Sequence, residues 1–368
     1  MGLENLALFN TDNFPIRHQG NVHNGKVRSV YWLNEEDSKR LIEERGFKYK
    51  VDINTPLGVM IISDRISAFD VIWHGQNGLK GIPGKGASLN AISKYWFDKF
   101  DSENLAQNHI LEVPHPLVWI VQKAEPVLVE AIARQYITGS MLRDYKAGIR
   151  NFCGIKLPDG LKDNQRLPEL LITPTTKGDL GHIEGMPKGD DANLTREQII
   201  EYKDSLGFKE SHHVNMYEIL LKKGFNSISR KLESLGQIFV DTKFEFGYAK
   251  NPMTGNMEMI YIDEIGTPDS SRMWDNDTYN KGSIIENSKE GFRQFLLNNT
   301  NRDVLLDKKR MDERRTLAKE YDVPIEQMMK ASEVYTRMAE SITGKPLQIT
   351  QDARTEILDA LNPYNITN

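Results

Sequence analysis

The central segment of this chain is Val240-Asp241-Thr242-Lys243-Phe244-Glu245-Phe246-Gly247. Its residues alternate between apolar and charged, and side chains alternate between the two faces of a β-strand. The pattern predicts a strand that is buried on one face and polar on the other. The apolar face is expected to hold Val240, Phe244 and Phe246, and the charged face Asp241, Lys243 and Glu245.

A second strand is predicted directly after this segment, and the two form a hairpin. Met257 to Ile262 is apolar and ends in Asp263-Glu264, while residues 251–256 carry turn-forming residues. Folding back about that turn places Glu245 opposite residues 262–264. Like charges across a strand pair are destabilising, so carboxylates at Glu245 and Asp263 predict a cation between them, Mg²⁺ carrying substrate phosphates. An edge hairpin with a solvated charged face is the alternative interpretation.

Length and composition limit the class of protein. A chain of 368 residues predicts about two domains, and 39% hydrophobic residues suffice for a sizeable core. The net charge of −5 argues against a nucleic-acid partner, and apolar runs such as Leu117–Val121 are too short to cross a membrane. The N-terminal residues show no signal peptide, so a cytoplasmic location is expected. A single cysteine, Cys153, excludes an intramolecular disulfide.

Two N-terminal segments are candidates for binding anions. The turn His23-Asn24-Gly25 leads into a predicted strand that places Lys26 and Arg28 on one face. Backbone amides and cations together can close over a polyphosphate, although a solvated basic strand edge is the alternative. Residues 80–90 are glycine-rich and basic before a helix predicted from about Ala91 to Phe100, and they lack the spacing of a P-loop.

A new unit is predicted to begin at Glu125. Val127 to Ile137 reads as a strand with Glu130 and Arg134 on one side, and Ser140 is expected to cap a short helix that ends at Gly148. A helix N-terminus with an arginine nearby suits a phosphate or carboxylate, whereas an ordinary capped helix is the alternative. Residues 151–193 are expected to be mostly loop.

The remaining predicted helices form a scaffold. One runs from Arg196 to Leu206 after the cap Thr195, and a longer one spans about residues 214–235. Residues 291–361 are helical in pattern, with one helix starting at Val323-Pro324 and ending at Gly344.

Several motifs together resemble the SAICAR synthase family, in full phosphoribosylaminoimidazole-succinocarboxamide synthase. The most specific pair is Glu-x-x-x-Arg-x-x-x-Thr-Gly-Ser at 130–140 and Asp-x-Lys-x-Glu-Phe-Gly at 241–247. The motifs follow the family's order, and the C-terminal pattern extends the resemblance over nearly the whole chain. The matching segments are Gly25–Arg28, Ser63–Asp70 with Gly81–Gly86, Glu130–Ser140, and Asp241–Gly247 with Asp263–Trp274.

The resemblance implies an ATP-dependent ligase of purine biosynthesis. Such an enzyme joins L-aspartate to carboxyaminoimidazole ribonucleotide (CAIR) through an acyl phosphate and releases SAICAR, ADP and phosphate. Positioning and charge neutralisation dominate phosphoryl transfer, so no nucleophilic side chain is needed. Two alternatives are another ATP-dependent small-molecule kinase or ligase on the same fold and a nucleotide-binding regulatory protein that has lost turnover.

The resemblance also implies roles for particular residues. Lys243, Glu245 and Asp263 would be catalytic, with Mg²⁺ held by Glu245 and Asp263. ATP would contact Lys26, Arg28, Asp241 and Lys243. The residues expected at CAIR or aspartate are Asp70, Lys85, Asn90, Arg134, Ser140, Lys177, Ser271 and Arg272.

The implied fold is α+β with two lobes and an ATP cleft between them, similar to ATP-grasp enzymes and kinases. Residues 1–124 would form the β-rich N-terminal lobe, and residues 125–368 the larger mixed lobe with the C-terminal helices. Ser29 departs from the family, where an acidic residue is common. The chain is longer than many relatives around residues 150–195 and in its C-terminal helices, which leaves the oligomeric state open. No fused carboxylase module is expected.

Overall fold

The computed structural model describes residues 7–368. The strands, numbered in chain order, are β1 (His23–Asn24), β2 (Arg28–Trp32), β3 (Leu57–Ile62), β4 (Ile66–Ala68), β5 (Val71–Trp73), β6 (Ile110–His115), β7 (Val118–Gln122), β8 (Glu125–Pro126), β9 (Val129–Tyr136), β10 (Asn151–Phe152), β11 (Ile155–Lys156), β12 (Arg166–Ile172), β13 (Thr175–Thr176), β14 (Gln237–Lys250), β15 (Met257–Ile262) and β16 (Ser271–Asp275).

The helices in the same part of the chain surround these strands. They are α1 (Glu35–Arg45), α2 (Lys85–Ser102), α3 (Gly139–Lys146), α4 (Arg196–Glu201), α5 (His213–Ser234), α6 (Asn276–Asn280), α7 (Lys289–Asn299), α8 (Arg302–Leu306), α9 (Met311–Glu320), α10 (Ile325–Thr343) and α11 (Ala353–Leu361). None of the helices in residues 7–368 is both long enough and apolar enough to span a bilayer.

Of the described strands, five form an antiparallel sheet in the order β1-β2-β3-β7-β6. The central strand β3 reads Leu-Gly-Val-Met-Ile-Ile, and such a continuous apolar run is expected where both faces of a strand are covered. One face packs into an apolar core that also contains Leu296, Tyr335 and Leu361 from the C-terminal helices. The C-terminal helices therefore share one core with this sheet, while the division between residues 124 and 125 stays a prediction.

A larger sheet is built around β14, which has 14 residues. β14 pairs with β9, β15, β16 and β8, and β9 pairs on its other side with β12 and β13. Helix α5 covers one face of this sheet through residues such as Phe225, whose ring packs at a tilt against that of Phe239, with 4.7 Å between ring centroids. The sheets and helices confirm the α+β class.

The predicted hairpin is confirmed, including its register. Glu245 pairs with Ile262, so Asp263 follows one residue beyond the pair. The alternation expected for Val240 is wrong. The pairing of β14 with β16 shifts register between Phe239 and Asp241, and Val240 packs with Tyr136 and Trp274 instead of with the two phenylalanines. A bulge inserts one extra residue into the strand, so the side chains before it point to the opposite face of the sheet.

The prediction that residues 151–193 are mostly loop is confirmed, and the short strands β10 to β13 lie within this region. Strand β12 contains Pro168, which is tolerated on an edge strand. Two other local predictions need correction. Ser140 lies inside α3, whose cap position is Thr138. Helix α4 keeps its predicted cap, Thr195, but ends at Glu201.

Gly224 is expected to be intolerant of a side chain even though it lies inside a helix. Replacing glycine by alanine within a helix normally stabilises it by about 1 kcal/mol. A Cβ at Gly224 would lie 2.7 Å from the ring of Phe244 and 2.9 Å from that of Phe100. Gly224→Ala should therefore lower the free energy of unfolding by about 1–3 kcal/mol, because the core is overpacked.

Urea denaturation of purified variants measures this effect. Gly291→Ala is the matched control, since its Cβ would meet nothing closer than 3.7 Å. That variant should be neutral or slightly stabilised. Equal effects of the two substitutions would contradict the proposed clash.

Candidate active site

The two sheets face each other across a cleft of about 1080 Å³. The cleft is lined by β2 of the five-stranded sheet and by β9, β14 and β16 of the larger one, together with loops and helix ends. Ligand pockets usually measure about 300–1000 Å³, so this volume suffices for more than one small substrate.

The charged face of β14 forms one wall of the cleft. The ammonium of Lys243 donates to Glu130 at 2.7 Å and to Glu245 at 2.9 Å. Lys177, in the loop after β13, also donates to Glu245. Burial favours the neutral form of Glu245, but the two ammonium groups outweigh it and lower the pKa of this carboxyl to about 2. Glu245 is therefore a stable anion held between two cations.

Arg28 links the two sheets. Its guanidinium donates to Asp263 and to Glu264, both at 2.9 Å, and its side chain is only 9% exposed. Burial lowers the pKa of Arg28, yet the two carboxylates raise it above the ordinary value. The predicted phosphate contact and the predicted metal ligand Asp263 thus lie directly beside each other.

The donor set at Glu245 and Asp263 fits a magnesium ion shared with a nucleotide. Mg²⁺ in such sites usually takes one or two carboxylates, with phosphates and waters completing its shell. Among residues 7–368, no three His, Cys, Asp or Glu side chains are grouped to hold a metal by themselves. Glu245 on β14 and Asp263, one residue beyond its pairing partner Ile262, both line the cleft and are the two candidate carboxylates.

Two arginines and an aspartate define another part of the cleft. Asp241 accepts from Arg134 at 2.8 Å and from Arg272 at 2.6 Å. Burial would raise the pKa of Asp241, but the two guanidinium groups lower it overall. Arg272 also pairs with Glu290 at 3.2 Å. Asp241 therefore orients both arginines. Its contact with ATP stays a prediction.

A cation and an anion meet at the mouth of the cleft. Lys26, in the turn before β2, donates to Asp70 at 2.5 Å. Asp70 and Phe69 both have positive φ, 65° and 55°. Such a conformation costs a residue other than glycine about 1–3 kcal/mol, so the surrounding structure must hold this turn.

Most of the predicted site residues lie on the cleft wall, but two do not. Helix α2 begins at Lys85, six residues earlier than expected, after Gly84 in the left-handed region. Lys85 is fully buried, with its ammonium 2.9 Å from Asp269, and Asn90 donates to the carbonyl of Pro116 at 3.0 Å. The wall contains Lys26, Arg28, Asp70, Arg134, Ser140, Lys177, Asp241, Lys243, Glu245, Asp263, Ser271 and Arg272.

Sequence reasoning missed further cations on the wall. Arg143, Lys289 and Arg293 line the cleft, and so does Arg314 from α9. Arg143 could have been found three residues after Ser140 on the predicted helix, and Lys289 follows Ser288, which caps α7. Arg314 gave no local signal, because its helix reads as ordinary scaffold.

Comparisons with known proteins agree with this architecture. The family model of SAICAR synthetase matches residues 48–307. The phosphoribosylaminoimidazole-succinocarboxamide synthase of Vibrio parahaemolyticus is 56% identical over 363 residues, and that of Shewanella piezotolerans 55% identical over 362, each covering 98% of both chains. The structure of the SAICAR synthase of Saccharomyces cerevisiae complexed with SAICAR is similar with a TM-score of 0.65 at 25% identity, covering 93% of this chain and 99% of that one.

The α+β fold and its charged cleft, with these relatives, define the protein as an enzyme of the small-molecule ligase class. Within that class, the chain belongs to the SAICAR synthetase family.

Proposed function

We propose that this enzyme uses ATP to join L-aspartate to CAIR, forming SAICAR, ADP and phosphate in purine biosynthesis. The observation that carries the proposal is that two separate groups of cationic side chains lie in one cleft. Lys177 and Lys243 surround Glu245, and Arg134 and Arg272 surround Asp241. Both groups suit anionic substrates, and the proposed reaction brings a triphosphate, a ribonucleotide phosphate and carboxylates into the cleft.

The chemistry divides into two steps. The carboxylate of CAIR attacks the γ-phosphorus of ATP, ADP leaves, and an acyl phosphate forms. The amine of aspartate then attacks the acyl carbon, phosphate leaves, and the nitrogen loses a proton. Both steps need alignment and neutralisation of negative charge rather than a nucleophilic side chain.

The residues of the cleft are assigned to these needs. Lys26, Arg28 and Lys243 stabilise the triphosphate, with Asp241 as a further expected contact of ATP. Glu245 and Asp263 would hold magnesium, which would supply charge neutralisation. Arg134, Arg272, Ser140 and Ser271 hold the ribonucleotide. Asp70 and Lys177 would contact the remaining substrate, and Lys85 and Asn90, which lie behind the cleft wall, would support it from there.

The test is a reaction with purified protein, ATP, Mg²⁺, CAIR and L-aspartate. SAICAR and ADP should appear in equal amounts, and both should depend on aspartate. Release of ADP or phosphate to the same extent without aspartate would favour a kinase. ATP binding without any product would favour a regulatory protein. The cytoplasmic location and the lobe boundary at residue 125 stay predictions, and the oligomeric state is open.

We assign Lys289, a partly buried cation of the cleft wall, to the ribonucleotide as well, so binding of the ribonucleotide should weaken at alkaline pH as this ammonium loses its proton. Burial lowers the pKa of this lysine to about 8, although Asp269, at 3.2 Å, opposes the shift. The ammonium is therefore charged at pH 7 and mostly neutral at pH 9. The dissociation constant of SAICAR should rise by about tenfold over that interval, since one charged hydrogen bond is lost.

Calorimetry at several pH values measures the change. The phosphate of the ribonucleotide is already doubly ionised over this range and does not contribute. In Lys289→Arg the guanidinium stays charged, so the affinity should be nearly independent of pH. An unchanged dissociation constant of the unsubstituted enzyme between pH 7 and 9 would refute the role of Lys289.

A further inference from the structure

The turn that presents Asp70 to the cleft is conformationally unusual. Phe69 and Asp70 form a two-residue connection between β4 and β5, with Ala68 paired to Val71. Both turn residues have positive φ, a combination for which Asn-Gly is strongly preferred. Neither residue is glycine, and so the turn depends on contacts made from outside the hairpin.

Arg314 makes those contacts. Its guanidinium donates to the carbonyl of Phe69 at 3.2 Å and lies 3.6 Å from the carboxylate of Asp70. It also donates to the carbonyl of Val304 at 3.2 Å. The residue is 2% exposed, and an arginine is rarely buried to this extent unless its guanidinium is paired. Asp70 is thus held between Lys26 on one side and Arg314 on the other.

The helix that carries Arg314 is fixed to the hairpin independently. Ala318 packs into the same core as Val71 and Trp73, and Tyr321 meets the ring of Trp73 edge to face. The backbone amide of Val323 donates to the backbone carbonyl of His74 at 2.9 Å. Loss of the guanidinium alone should therefore leave α9 in place. Arg314 also lies beyond residues 48–307, the range matched by the family model.

We propose that Arg314 is a positioning residue that holds the Phe69–Asp70 turn, so that Asp70 meets Lys26 at the mouth of the cleft. The kinetic consequence rests on the proposed function, because Lys26 is assigned there to the triphosphate. The structural consequence does not depend on it. With Arg314 removed, the carbonyl of Phe69 and one side of Asp70 lose their partner, and the turn can relax.

Hydrogen exchange of the full-length protein tests the structural part. In Arg314→Met, amides of residues 66–73 should exchange about tenfold faster or more, because the turn opens locally. Arg315→Met is the matched control: its side chain is 64% exposed and pairs with Asp312. Exchange in that variant should equal that of the unsubstituted protein. Unchanged exchange at residues 66–73 in Arg314→Met would overturn the proposal, whatever reaction the enzyme catalyses.

Kinetics test the functional part. Arg314→Met should lower kcat/KM for ATP by about 10- to 100-fold, the scale expected when a group in the site is displaced. Arg314→Lys should recover part of that loss, and it also serves as the test variant if Arg314→Met does not fold. Adding Arg314→Met to Asp70→Asn should cost much less than the product of the two separate losses. Losses that multiply would show that Arg314 does not act through Asp70.

Discussion

Glu245→Gln is expected to reduce kcat by about 100- to 1000-fold while the protein stays folded. The substitution keeps the shape of the side chain and removes its charge. Two ammonium groups, those of Lys177 and Lys243, then lose the anion between them, and the proposed magnesium site loses a charged ligand. Removing one electrostatic contact to the transition state costs about 100- to 1000-fold in other enzymes.

Two measurements separate this effect from unfolding. The first is kcat as a function of Mg²⁺ concentration, and an unchanged magnesium requirement would count against the metal assignment. The second is stability against pH. The pKa of Glu245 in the folded protein is about 2, below the ordinary 4.5, so its stabilising contribution is present above pH 4.5 and is lost as pH falls toward 2. The glutamine variant should lack that acid-dependent loss.

Glu258→Gln is the matched control for Glu245→Gln. Glu258 lies on β15 in the same hairpin and accepts from Asn251 at 2.8 Å. It is not among the residues that line the cleft. Its substitution should leave kcat and the magnesium requirement unchanged. A comparable loss in both variants would mean that the hairpin responds to any loss of charge.

Arg272→Ala is expected to raise the KM for CAIR by about 30- to 150-fold and to change the KM for ATP little. This increase corresponds to a loss of binding free energy on the order of 2–3 kcal/mol. Arg272 and Ser271 lie on β16, and the guanidinium is held in place by Asp241 and Glu290. The backbone of Gly139, next to Ser140, approaches so closely that a Cβ there would lie 2.6 Å from this guanidinium. The arginine is therefore positioned before the ribonucleotide arrives.

The fold should tolerate the loss of Arg272. Removing one member of a buried ion pair is costly when the other charge is left alone. Here Asp241 keeps its contact with Arg134 at 2.8 Å. Steady-state kinetics with each substrate varied in turn give the two KM values. Arg166→Ala, an exposed arginine outside the cleft, is the control. Equal increases in both KM values for Arg272→Ala would contradict its assignment to the ribonucleotide.

Local sequence was sufficient for the elements whose signals lie within a few residues. The hairpin of β14 and β15 follows from strand alternation and from the turn residues between them, and its register agrees with the expected range. Helix α10 ends at Gly344, as its C-terminal signal indicates. The motifs also carried the family assignment over most of the chain.

Other features depended on contacts that no local pattern contains. A bulge opposite β16 decides which face of the sheet the side chain of Val240 points to. The start of α2 is set by Gly84, whose backbone is in the left-handed region. The edge strand β12 lies in a region that was expected to be mostly loop. Each of these depends on what packs against the segment rather than on the segment alone.

The site shows the same division. The amino-acid sequence predicted charged residues for the site, because charge and spacing are local properties, and most of these residues lie on the cleft wall. Only the tertiary structure decided which charges meet: Arg28 pairs with Asp263 across 235 residues of sequence, and Arg314 supports Asp70 from a helix with no motif of its own. Ion pairs depend on distance and burial in space, and both arise only when the two sheets close around the cleft.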